Sequence, residues 1–156
     1  MKFNIEQIAL CPPDPAEAIK LLKEMGADEW VQDLVVATGT VGTTLEQTNV
    51  ATLAFNYTAL DSARELEVLH YCAGSNWMEG RASRVSHIGM HVDAAELQRW
   101  RTFFKNRGYD VAQEVHTDSH TNPAIAGKRW YHYVIFDTYR TLGVDVKFIV
   151  RREPGE

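Results

Sequence analysis

Residues 85–92, VSHIGMHV, line up without a gap against residues 5–12, IEQIALCP. Each stretch is apolar-rich with the alternation of a strand. Each precedes a segment with helical spacing: AEAIKLLKEMG after Asp14-Pro15, and AAELQRWRTFFKNRG after Asp93. An Asp stands near the N-cap position of both segments, and Gly26 or Gly108 ends them where a left-handed C-cap would fall. Strand chemistry then returns three times in each half: WVQDLVVATGT, VATLAFNY and ARELEVLHY, then DVAQEV, RWYHYVIFDT and VDVKFIVRR. The chain therefore reads as two β-α-β-β-β modules, an α+β fold. The first spans 1–72 and the second 85–152, with a polar, glycine-bearing linker at 73–84 (AGSNWMEGRASR) and a short tail at 153–156.

Length and composition fit this reading. A chain of 156 residues with 45% hydrophobic and 24% charged residues suits one compact folded unit. The formal charge of −5, with no run of Lys and Arg longer than two, gives no footprint for nucleic acid. No apolar span of membrane length or signal-peptide pattern is visible, so a cytoplasmic protein away from membranes is expected. Cys11 and Cys72 lack metal or redox spacing and read as reduced thiols.

Helical spacing puts Ile19, Leu22 and Lys23 on one side of the first helix. It puts Leu97, Trp100, Phe103 and Phe104 on one side of the second, and both stripes are expected to be core. Strand parity separates Ile88, Met90 and Val92 from His87, Gly89 and His91. The matching set in the first repeat is Gln7, Ala9 and Cys11. Leu66 and Val68 should lie under a helix, with Glu65, Glu67 and Leu69 on the other face. In the last strand Val144, Val146 and Phe148 should be packed, with Asp145, Lys147 and Ile149 opposite. Polar groups thus gather on one concave face.

These residues resemble the vicinal oxygen chelate superfamily, which includes glyoxalase I, bleomycin-resistance proteins and extradiol dioxygenases, over nearly the whole chain. The resemblance implies an open, curved mixed sheet around a concave cleft. It also implies a divalent metal held by the first and last strands of each module. By position, Gln7, His87 and Glu67 match the metal ligands, and the fourth ligand position falls at Lys147; Gln7 to Glu67 and His87 to Lys147 are the same distance apart in sequence. An ammonium group has no lone pair to donate and repels a cation, so Lys147 departs from the pattern. Asp145, two residues earlier on the same face, could replace the carboxylate if the strand bulges.

Two functions follow from the resemblance. One is a metal-dependent lyase or isomerase. In it Gln7, Glu67 and His87 hold zinc, nickel, manganese or ferrous iron, the metal polarises a substrate oxygen, and His91 or Glu65 moves the proton. The other is a metal-free protein that sequesters a small molecule, with Glu67 and Lys147 paired across the cleft and Trp130, Trp77, His132 and Lys147 against the ligand. A homodimer is compatible with either.

Two further stretches hold polar clusters. His116, Asp118 and His120, in EVHTDSHTNP, look metal-like, but the Thr, Ser, Asn and Pro around them read as a surface loop near the cleft mouth. TGTVGTT, residues 38–44, lacks the lysine and spacing of a phosphate cradle and reads as a hairpin turn.

Overall fold

The computed structural model describes residues 1–41, 44–56, 64–73, 86–118 and 130–152. The first half contains β1 (Gln7–Leu10), α1 (Pro15–Glu24), β2 (Val31–Val41), β3 (Thr44–Asn56) and β4 (Glu65–Ala73). The second contains β5 (His87–His91), α2 (Ala94–Lys105), β6 (Val111–Asp118), β7 (Trp130–Phe136), the single-turn α3 (Tyr139–Leu142) and β8 (Asp145–Arg152). The α+β class and, apart from the single turn of α3 between β7 and β8, the doubled β-α-β-β-β order are those read from the repeat.

Both long helices begin for the same local reason. The Asp14 carboxylate accepts the backbone N–H of Glu17, and the Asp93 carboxylate that of Glu96, each three residues on. Both end where glycine allows positive φ, at +102° for Gly26 and +77° for Gly108.

The helices differ in depth. Leu97, Trp100 and Phe104 of α2 are buried, with Trp100 stacked on Phe148 at 5.0 Å and Phe104 on Phe136 at 4.5 Å. Met90, Val134, Val146 and Val150 complete that core. Phe3 joins it edge-on to Trp100 and Phe148, tying the start of the first module to the second. By contrast α1 buries no residue. Ile19 and Leu22 are half-buried, and Lys23, expected on the core stripe, is exposed. An ammonium that can reach water has no reason to be drawn under a sheet. Leu21 and Met25 are exposed as well.

Eight strands form one curled, mixed sheet in the order β1-β4-β3-β2-β6-β7-β8-β5. Within it β1 runs parallel to β4 and β5 parallel to β8, and the two registers are copies: Gln7 faces Glu65 as His87 faces Asp145, and Ala9 faces Glu67 as Gly89 faces Lys147. The modules meet twice. β1 and β5 pair antiparallel about Ile8 opposite Ile88, and β2 pairs with β6 from Thr38 opposite His116 to Val41 opposite Gln113. The second junction carries the expected curved sheet round to a closed ring. Consequently the face read as open is largely interior, and Asp145 and Ile149 on it are buried.

Some boundaries move. β2 continues to Val41 and β3 starts at Thr44, so strand reaches into the stretch read as a turn at 38–44. β6 continues through His116 and Asp118, which are strand residues rather than loop. Antiparallel pairing with β7, from Val111 opposite Phe136 to Asp118 opposite Trp130, overrides the turn-forming composition there. Ala73, read as the first linker residue, closes β4; the rest of the 73–84 linker, Trp77 within it, and His120 lie outside the described residues. Among the described residues no helix is long and apolar enough to cross a membrane.

Candidate functional site

Neighbours in a ladder share a face, so reading across the ring gives rows of side chains. One row runs Glu65, Gln7, Gly89, Lys147, Ile135 and Gln113; the next runs Phe55, Glu67, Ala9, His87 and Asp145. The small residues decide what meets. Glu67 and His87 flank Ala9 and approach over it, with His87 Nε2 3.4 Å from Glu67 Oε2. Gly89 lies beneath the Gln7 side chain, and a Cβ there would stand 3.2 Å from Gln7 Oε1 and 3.3 Å from Gln7 Cβ.

Hydrogen bonds orient the cluster. Gln7 Nε2 donates to Glu65 Oε1, which fixes the amide and turns Gln7 Oε1 toward His87 Nε2, 3.0 Å away. An amide oxygen only accepts, so in this orientation of Gln7 the bond calls for the His87 tautomer with its proton on Nε2. Lys147 Nζ lies 3.7 Å from Glu67 Oε2 and 5.0 Å from the Tyr133 ring centroid. Glu67 Oε2 therefore has a cation on one side and an imidazole N–H on the other. Both lie beyond the length of a good charged hydrogen bond, and this buried oxygen has no hydrogen-bond partner among the described residues.

Charge follows from these positions. Burial opposes ionisation of Glu67, but the Lys147 ammonium and the His87 imidazole outweigh it and hold the carboxyl down at about 2. Glu65 goes the other way. Burial first, then the Glu67 carboxylate beside it, push its carboxyl above the usual range against the pull of Gln7, Lys147 and His91. Two carboxyl groups two residues apart on one strand are thus driven in opposite directions. Burial, helped by Glu67, raises the Cys11 thiol to about 11 and pushes the Tyr133 phenol upward.

The structure brings together Gln7, Glu65, Glu67, His87 and Lys147. Among the described residues, Asp145, His91, Trp130 and His132 are engaged with other partners. Asp145, considered as a replacement carboxylate, accepts the backbone N–H groups of Thr138 (3.1 Å) and Tyr139 (3.0 Å), holding the start of α3 instead. His91 points to Glu6, whose Oε2 lies 3.1 Å from its Nδ1 and accepts its backbone N–H at 2.9 Å. Trp130 and His132 share strand parity with Val134 and Phe136, which belong to the core under α2. They stand on the outer, helix-bearing side of the sheet, not in the cleft with Lys147. As arranged, the interior set does not fit a resident divalent ion: the Lys147 ammonium stands 3.7 Å from Glu67 Oε2 and would repel a second cation there.

A second polar cluster lies on that outer face. Glu114 Oε1 is 2.7 Å from His132 Nε2 and also bonds the Arg101 guanidinium, which reaches over from α2. Burial works against ionised Glu114, but the bonds from His132 and Arg101 leave its carboxyl below the usual range. Across the ladder His116 stacks on His132, ring centroids 4.1 Å apart and 13° from parallel, with Trp130 5.3 Å from His116. Partial burial and the nearby His132 lower the His116 pKa; Arg101 and Arg152 act the same way, against the pull of Glu114. Glu114, His116 and His132 form a group that could hold a metal, with one ligand atom from each within 4.8 Å of the others. In the sequence His116 stood out with Asp118 and His120, whereas its partners Glu114 and His132 come from strand register and from parity with β7.

No protein-family model matches the chain, and no curated protein is significantly similar to it. One solved structure with a similar fold is the hypothetical protein BH1468 from Bacillus halodurans C-125. It is 13% identical and superposes with a TM-score of 0.51 over 98% of this chain and 97% of that one. At that identity the likeness is one of fold alone.

Proposed function

We propose that the protein binds a small polar molecule inside the ring, without a resident metal ion, in the manner of the sequestering branch of the vicinal oxygen chelate superfamily. One observation carries the reading. Lys147 Nζ stands 3.7 Å from Glu67 Oε2, occupying the place of the superfamily's fourth ligand and supplying the positive charge that an ion would bring. The under-bonded Glu67 Oε2 is an acceptor for a ligand O–H or N–H. Lys147 offers donors to a ligand oxygen. Small-molecule sites generally combine an apolar wall with a few such convergent groups, and Ile135, Leu69 and Ile149 are among the apolar residues on this face.

The test is a thermal-shift panel of small carboxylates, amides and polyols on chelator-treated protein, run beside Glu67→Gln and Lys147→Met. A ligand class that stabilises the wild type by several degrees and neither variant supports the reading. The alternative, a metal-dependent lyase or isomerase built on Gln7, Glu67 and His87, would prevail if untagged protein purified with stoichiometric metal that His87→Ala loses. A panel without any shift also overturns the proposal.

A further inference from the structure

His116 and His132 are directly opposed on β6 and β7, and Glu114, two residues before His116, projects from the same face. The three come from two adjacent strands whose backbone pairing fixes their spacing, so no loop has to be ordered to assemble them. We propose that Glu114, His116 and His132 bind a divalent transition-metal ion of the zinc, nickel or copper(II) class on the outer face of the second module. This site is separate from the interior cluster.

The donor set suits that class. Two imidazole nitrogens and one carboxylate oxygen are ligands for borderline ions, whereas magnesium and calcium prefer oxygen alone. Bond lengths near 2 Å put tetrahedral ligand atoms roughly 3.3 Å apart. The present ligand atoms lie within 4.8 Å of one another, so the set has to draw together and the stacked His116 and His132 rings have to turn for an ion to be held. Among the described residues three contribute, and water can complete the shell.

Arg101 is the competitor. Its guanidinium and His132 Nε2 both reach Glu114 Oε1, and Glu114 Oε2 has no partner among the described residues, so that oxygen is the one an ion would take. Removing the Arg101 charge should therefore strengthen metal binding. A purely structural role for the cluster predicts the reverse, because losing Arg101 would loosen Glu114 and His132.

The experiment is calorimetric titration of chelator-treated, untagged, full-length protein with zinc, with cobalt(II) absorbance as a readout of imidazole coordination. Expected are one equivalent bound with micromolar affinity and a loss of at least about tenfold in both His116→Ala and His132→Ala, set by removing one ligand of three. Arg101→Gln should tighten binding and His87→Ala should leave it unchanged. The proposal is overturned if the wild type binds no ion, if His116→Ala binds as well as the wild type, or if Arg101→Gln weakens binding. Metal lost with His87→Ala instead of His116→Ala would overturn it too, and would separately overturn the metal-free reading of the interior.

Discussion

Lys147 and Glu67 face each other inside the ring at 3.7 Å, their side chains only 11% and 2% exposed. Neither charge can be removed alone without stranding the other in a dry environment. Lys147→Met and Glu67→Gln should each lower stability by about 3 kcal/mol, and the double variant should lose less than the sum of the two. Urea midpoints in a double-mutant cycle measure this. Additive losses would mean that the pair is not coupled.

The pH dependence has a definite sign. Glu67 sits at about 2 in the folded chain against an ordinary 4.5, so its contribution is present above pH 4.5 and is lost as pH falls toward 2. The loss should be on the order of 3 kcal/mol. Glu65, raised by burial, contributes in the opposite sense: its share is full below its ordinary range and lost as pH rises. Acid unfolding should therefore steepen below pH 4.5 in the wild type and flatten in Glu67→Gln, while Glu65→Gln should gain relative stability toward neutral pH. Chemical denaturation from pH 2 to 7 follows both slopes.

Space over β5 is limited at one point. Gly89→Ala puts a methyl 3.2 Å from Gln7 Oε1 and should cost about 1–3 kcal/mol while displacing Gln7 from His87. A melting temperature unchanged from the wild type would show that Gln7 can move aside freely.

The two helices should respond unequally to truncation. Phe104→Ala removes a ring stacked on Phe136 and should cost about 3–5 kcal/mol. Leu21→Ala on α1, where the side chain is 58% exposed, should stay within about 0.5 kcal/mol. Comparable losses at both positions would contradict the loose seating of α1.

Much of this was legible in the chain because it depends on local order. Strand parity grouped Gln7, Glu67, His87 and Lys147 on one face, and the matching registers of β1 with β4 and β5 with β8 bring them together. Strand alternation groups Trp130 and His132 with Val134 and Phe136 as well, but it names companions and not the direction they face. That direction follows only once Phe136 and Phe148 are seen beneath α2. The Arg101–Glu114 contact joins a helix to a strand, and its existence depends on how α2 lies across the sheet, which no periodicity encodes. His116 and Asp118 carry turn-like neighbours, and only the facing β7 makes them strand. The β2–β6 junction was likewise invisible, since each strand alone reads the same with or without a partner.

That junction bears on how the molecule comes into being. In the finished ring every described strand has a neighbour on both sides. Each half by itself is a four-stranded sheet bare at two margins, β1 and β2 in one and β5 and β6 in the other. Unpaired margins recruit other chains. The first half emerging from a ribosome thus carries two sticky borders until β5 and β6 arrive, and a chain truncated after Ala73 would be prone to aggregate for the same reason.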